Sequence, residues 1–428
     1  MATAAETRPG VRPYRATLSN GLVVIIRENH ANPTVELQGT VRAGAIFDPP
    51  GRSGLAAFVG GMLDRGTRRR TALEQASAVE DVGAHLSFDA NSETLRLAGT
   101  SLTEDLPILL DVLADALMSP AFPPDQVEKA RDELLIRVRM AEDHTGSVAA
   151  RAANRLLFPE EHPFHWPSFG TDPTLRAVTR AELEEFHARH YGPQTTALVL
   201  VGDLTPEGAL PLVERALGEF APLASPPRFE VPEAPPLPTQ ARCVVPMQGR
   251  SQTDIVWAKH GFARTAPDYY GALVMNYIFG GGSLRSRLMD QLRDRQGLVY
   301  GVYSVLSPGI GAGPIQVRAG TNPAQVDRAV AAIESEARRM YEDGPTAEEL
   351  AEAKGYLTGV FPVRLESNAG VATQLSAAEL YGLGLDYLDR YAEIIDAVTL
   401  EETRAAARKY LAPGGHALAI AGSYRGGT

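Results

Sequence analysis

The sequence predicts an α+β protein of two homologous, α/β-sandwich-like domains, each a mixed or antiparallel sheet with helices, related by an internal repeat. Three observations predict this class. At 428 residues the chain exceeds what one hydrophobic core usually organises. Its two halves close on one pattern at an offset of about 220 residues. The first reads Val178-Thr179, a helical stretch, His190-Tyr191-Gly192-Pro193 and the apolar run Ala197-Leu198-Val199-Leu200-Val201-Gly202. The second reads Val398-Thr399, a helical stretch, Lys409-Tyr410-Leu411-Ala412-Pro413 and Ala417-Leu418-Ala419-Ile420-Ala421-Gly422. Finally, strands and helices come in runs rather than in strict alternation, which argues against a doubly wound parallel sheet.

In chain order, 23–27 and 34–43 read as strands, 53–66, 73–82 and 106–117 as helices, and 85–99 as a strand region. A long helix follows over 124–141, with Pro124 in its first turn, where a missing N–H costs nothing. Thr179 and Thr399 are expected N-caps, each with a glutamate three residues on, Glu182 or Glu402, to complete a capping box. In the second half 254–261 reads as strand and 269–279 as helix, and 299–307 is expected to pair with 313–320. Between the halves Ser225-Pro226-Pro227 and Ala234-Pro235-Pro236-Leu237-Pro238 mark an extended stretch expected to carry no core. The domains are accordingly placed at 1–222 and 241–428, with a Pro-rich linker at 223–240.

Composition excludes several functions. Apolar residues at 44% and charged residues at 22% are ordinary for a globular protein. A net charge of −11 argues against nucleic acid and against an anionic membrane surface, both of which call for a basic face. No apolar run approaches the roughly 20 residues of a spanning helix. Cys243 is the sole cysteine and sits in a strand-like context, with no identifiable base to activate it. The first ten residues lack the apolar core of a signal peptide, so the compartment expected is the cytoplasm, or the periplasm if a leader has been removed. No G-x-S-x-G elbow or phosphate loop occurs, and Gly280-Gly281-Gly282 has no Lys-Ser/Thr after it. Of the nine histidines, His162 and His165 flank prolines that would break a ligand-aligning helix, and His187 and His190 at i, i+3 fit ordinary amphipathic packing.

Two segments carry a family resemblance. Gly54-Leu55-Ala56-Ala57-Phe58-Val59-Gly60-Gly61-Met62-Leu63-Asp64-Arg65-Gly66-Thr67 resembles the signature helix of the pitrilysin/insulinase family of inverted zincins, whose H-x-x-E-H motif supplies two zinc ligands and a base. Here the ligand positions fall on Ala57 and Gly61 and the base position on Gly60, none of which has a lone pair to offer. The family's third ligand is a glutamate on a later helix. Alignment through Arg131, Met140, Glu142 and Asp143 puts Arg137 there, or Val138 after a one-residue slip.

The second segment, Gly280-Gly281-Gly282-Ser283-Leu284-Arg285-Ser286-Arg287-Leu288-Met289-Asp290-Gln291-Leu292-Arg293-Asp294-Arg295-Gln296-Gly297-Leu298-Val299-Tyr300, resembles another family signature and runs on into Val302-Tyr303-Ser304. The resemblance implies that Arg293 and Tyr300 are the family's substrate-directed arginine and tyrosine. A guanidinium is a forked, permanent donor, and a phenol can donate to a developing oxyanion. It further implies a division of labour found in split bacterial members. This chain would bind no metal and supply Arg293 and Tyr300 in trans, inactive alone, to a zinc-bearing homologous subunit in a heterodimer that cleaves peptides. Peptides would add a strand to a sheet edge of the metal subunit. The rivals are a structural or peptide-holding homologue, like the inactive core proteins of a respiratory complex, an inactive peptide-binding homodimer, and a peptidase that acts unaided.

Overall fold

The aliphatic runs that close the two halves of the repeat become buried interior strands of two separate sheets. In the computed structural model, which describes residues 12–424 and 426, the first sheet has six strands: β1 (Tyr14–Thr17), β2 (Val23–Glu28), β3 (Thr34–Val41), β4 (His85–Ala90), β5 (Leu95–Leu102) and β6 (Thr196–Gly202). Their order is β1-β2-β6-β3-β5-β4, with β2 and β6 parallel and the other pairs antiparallel. The second sheet has five: β7 (Ala241–Pro246), β8 (Thr253–His260), β9 (Val299–Leu306), β10 (Pro314–Thr321) and β11 (Ala417–Gly422). Their order is β7-β11-β8-β10-β9, with β7 and β11 parallel and the rest antiparallel. Apart from β1 the two sheets have the same topology, strand for strand, so the internal repeat is a repeat of architecture and the class is α+β. The leader reading, on residues 1–10, lies outside the described residues.

Both expected capping boxes form. The Thr179 hydroxyl accepts from the Glu182 N–H and Glu182 Oε2 accepts from the Thr179 N–H at 2.7 Å, and Thr399 and Glu402 repeat this, again with 2.7 Å for the carboxylate bond. Each helix then delivers the chain into an interior strand, β6 or β11, whose residues are almost all buried. Gly202 and Gly422 close these strands where a Cβ would strike Thr34 or Thr253 at the start of the neighbouring strand, so the same close approach is used twice.

The compact units do not follow the two halves of the chain. One comprises the residues up to Ile136, Ser168–Phe229 and Pro362–Arg390; the other comprises Arg137–Pro167, Glu230–Phe361 and the residues from Tyr391. Each sheet is thereby covered by a helix from the opposite half of the sequence. Helix Thr145–Leu157 buries Ala149, Ala153 and Leu157 against Val256, Ala258, Ala417, Ala419 and Ala421 of the second sheet. Helix Asn368–Leu380 buries Val371, Ala372 and Leu375 against Ile25, Val199 and Val201 of the first. In the first contact alanines on both sides let helix and sheet approach closely, while the second packs larger aliphatic side chains.

Three local expectations are corrected. The signature helix ends at Gly60 rather than at residue 66, because consecutive glycines are poor helix formers and Gly61 is its C-cap. The 269–279 helix is α-helical to Asn276 and continues as a π-helix, Tyr277–Gly281. The Pro-rich stretch does contribute to packing: Phe229 stacks on Phe47 in the first unit, while Ala234 and Leu237 join the alanine-rich cluster of the second. There the Pro232 carbonyl accepts from His162 Nε2 at 2.9 Å, which ties the extended segment down.

Candidate functional site

Helix Leu55–Gly60 is fixed by its N-terminus. Asp48 accepts from the Gly54 and Ala56 N–H groups at 2.7 and 2.8 Å, and burial pushes its carboxyl up to about 7 although those amide donors pull the other way. All six helix residues are buried, and the Arg131 guanidinium lies 5.2 Å from the centre of the Phe58 ring. Ala57, Gly60 and Gly61 offer a methyl group and two hydrogens where the family pattern has two imidazoles and a carboxylate. Side chains crowd the base position: a Cβ on Gly60 would stand 2.8 Å from Leu95 Cδ1 and 3.1 Å from Ala90 Cβ. Zinc does not fit these residues. On the later helix, Pro124–Asp143, Arg137 is exposed and Val138 is fully buried. Among the described residues no group of three or more His, Cys, Asp or Glu side chains could hold a metal ion.

The histidines are occupied otherwise. His162, His187 and His260 each direct Nε2 to a backbone carbonyl, of Pro232, Leu117 and Leu157 respectively. Nδ1 of His165 likewise faces the Phe158 carbonyl. Burial holds His187 and His190 down to about 4, so both are neutral near pH 7.

The second signature folds as an irregular approach to an edge strand. The π-helix Tyr277–Gly281 contains the first two residues of the glycine run, and all three glycines answer to packing. A Cβ would meet Ser304 and Leu288 at Gly280, Asn276 at Gly281 and Tyr277 at Gly282. This crowding leaves no loop free to cradle a phosphate. A second π-helix, Met289–Arg295, carries Arg293, whose exposed guanidinium has no hydrogen-bond or ion-pair partner among the described residues. Gly297, at φ +60°, then turns the chain into β9.

Tyr300 is the second residue of β9, the outermost strand of its sheet. In the pairing with β10, Thr321 faces Val299 and Gly320 faces Gly301, so Tyr300 is an extra, unpaired residue, a β-bulge. A strict pleat would send Tyr300 and Tyr303 to opposite faces. The bulge brings them to the same one, where both are largely exposed, at 59% and 48%.

They line a cavity of about 430 Å³ in the second unit together with His144, Asp254, Arg318 and the backbone at Gly301 and Gly320. Asp254 accepts from the Thr145 hydroxyl and from Gln252 Nε2, the latter at 3.0 Å. Arg318 donates twice to Gln316 Oε1, which leaves one terminal nitrogen uncommitted. Arg293 is not among the lining residues. Sequence reasoning missed His144, Asp254 and Arg318, which are scattered over three segments. Tyr303 was visible as the continuation of the signature, but its face could not be read without the bulge.

Family comparison agrees with this architecture. Residues 23–158 match the family model described as insulinase (peptidase family M16), and residues 177–357 match the one described as the peptidase M16 inactive domain. A protein of Mycobacterium tuberculosis described as an uncharacterized zinc protease is 30% identical over 418 residues, covering 95% of this chain and 92% of its own. The chain belongs to the insulinase family.

Two further insulinase-family relatives bear on its chemistry. The crystal structure of a peptidase M16 inactive domain from Pseudomonas fluorescens superposes with a TM-score of 0.90 at 25% identity, over 98% of this chain and 99% of that one. A Helicobacter pylori protein named a non-peptidase homolog is 25% identical over 386 residues, or 89% of this chain and 87% of its own. Insulinase-family membership therefore coexists here with a signature helix whose ligand positions have no donor atoms and a second segment that carries Arg293 and Tyr300.

Proposed function

We propose that this chain is the non-metal subunit of a heterodimeric insulinase-family metallopeptidase, acting on peptides only together with a zinc-bearing homologous partner. One observation carries the reading: the positions that would grip zinc, Ala57 and Gly61, have no donor atoms, while Arg293 and Tyr300 stand exposed with polar ends unpaired among the described residues. An unpaired guanidinium and an unpaired phenol cost the fold nothing at the surface, and no described residue bonds to either. Arg293 would hold a substrate carbonyl or carboxylate through its forked donors. Tyr300 would donate its phenolic hydrogen to the oxygen on which negative charge develops as the peptide carbonyl is attacked. The zinc chemistry belongs to the partner.

The name of the H. pylori relative supports a second reading, a peptide-holding or structural homologue with no part in proteolysis. Mixing separates the two. The lone chain, the lone zinc-bearing homologue from the same genome and the equimolar pair are each assayed with a quenched fluorescent peptide. The subunit reading expects turnover by the pair alone, reduced by Arg293→Ala at unchanged pairing. Activity indifferent to this chain would leave the holding role.

A further inference from the structure

Trp257 lies inside β8, and its neighbours Val256 and Ala258 pack under helix Thr145–Leu157. Alternation along the strand turns Trp257 to the other face of the sheet, away from Asp254 and the cavity beside Tyr300. There it lines a separate cavity of about 170 Å³ with Ala337, Leu411 and Pro413, all within the second unit. Trp257 is buried and its indole N–H has no acceptor among the described residues, whereas a buried indole N–H ordinarily finds one. The Lys259 amine donates to the Ala412 carbonyl and so ties the 411–414 loop to the sheet as one wall. The space is on the scale of an apolar cavity of about 150 Å³ that admits benzene.

The rim carries two opposite charges that do not pair. Glu334 and Arg338 stand four residues apart on helix Val326–Glu342, in the order that favours an ion pair on a helix surface. They make none among the described residues. Gln240 Nε2 donates to Glu334 Oε1 at 3.3 Å, and His416 Nε2 stands 3.2 Å from the same oxygen, an ion-pair distance outside hydrogen-bond geometry. His416 is itself held by its Nδ1–H, which donates to the Gly414 carbonyl at 2.9 Å. Glu334 is thereby drawn to one side with Oε2 uncommitted, and the exposed Arg338 guanidinium has no partner among the described residues.

A carboxylate and a guanidinium held apart beside an apolar recess complement a ligand that bears an ammonium and a carboxylate on one carbon, next to an apolar side chain. We propose that this cavity binds a free amino acid with an aliphatic side chain. Arg338 takes the α-carboxylate through its forked donors. Glu334 takes the α-ammonium, and the side chain lies against Trp257 and Leu411. A polypeptide terminus brings only one of the two charges and satisfies half of the rim. The site stands on the opposite face of the sheet from the Tyr300 cavity, so the inference does not depend on the division of labour proposed above.

The chain has two tryptophans, and Trp166→Phe leaves Trp257 as its only indole. L-leucine is titrated into that full-length variant and followed by indole emission, with calorimetry on the parent chain alongside. A saturable response is expected in both. N-acetyl-L-leucine, which lacks the ammonium, and L-leucinamide, which lacks the carboxylate, are each expected to bind about tenfold or more weakly, the scale of one lost charge-assisted hydrogen bond. Glu334→Gln and Arg338→Gln should weaken L-leucine binding by a similar factor at parent Tm. Absence of saturation overturns the proposal, as does equal binding of leucine and its two blocked forms, or parent-like affinity in either rim variant. The blocked ligands need no substitution, so the test stays decisive even where a variant fails to fold.

Discussion

Tyr300 owes its direction to one unpaired residue in β9, and Gly60 owes its silence to the side chains pressed against it. Both facts make predictions about substitutions. Replacing Ala57, Gly60 and Gly61 by His, Glu and His restores the letters of the zinc motif but forces the stem of the introduced glutamate into Leu95 and Ala90. Overpacking of this kind costs typically about 1–3 kcal/mol. The expected outcome is a lower Tm and no stoichiometric zinc by metal analysis of the dialysed protein; full metal uptake at parent stability would show the site to be merely unliganded. His187 and His190 give a prediction about pH. Burial holds both near 4 in the folded chain, against about 6.5 when unfolded. Between those values the unfolded state binds more protons, so stability rises with pH: the contribution is fully present above the unfolded value and is lost as pH falls toward about 4. His190 packs on Phe47 and Phe186 with its Nδ1 unsatisfied. His190→Phe should therefore flatten the fall in Tm between neutral and mildly acidic pH, and an unchanged slope would remove His190 from that account.

At the scale of elements, the repeat uses one device twice, a boxed Thr-capped helix leading into a buried strand, and then exchanges a helix between the sheets. The capped helix was legible in the sequence because its signals are local: a threonine, a glutamate three residues on and an apolar run. The exchange was not, because the apolar positions of Thr145–Leu157 and Asn368–Leu380 say that a face is buried without saying which sheet buries it. The bulge at Tyr300 was equally hidden, since a pleat interrupted by one residue leaves the same letters. The alanine-on-alanine contact under the first of these helices predicts that Ala153→Leu, fully buried against the second sheet, lowers stability by about 1–3 kcal/mol, measured by denaturant unfolding. A similar change at the more open Glu142 position should be near neutral.

For the whole molecule, the two sheets share one topology, and the chemistry is divided between them unequally. The fold class and the family could be read from the chain because two long signatures survive in it. The proposed role rests on an absence beside a presence: three positions without donor atoms and two side chains without partners among the described residues. What the sequence left open was where Arg293 and Tyr300 point. Tyr300 faces a groove with Tyr303 and Arg318, while Arg293 stands on the π-helical segment outside that lining. This separation predicts that the two act on different parts of a bound peptide, so their losses should be close to additive in log kcat/KM for the assembled pair.

The most direct measurement is kcat of that pair with Tyr300→Phe, which removes one hydroxyl and keeps the ring. If the phenol stabilises the developing oxyanion in trans, kcat falls about 10²-fold while KM and pairing hold; an unchanged kcat in a fully assembled pair would contradict the account.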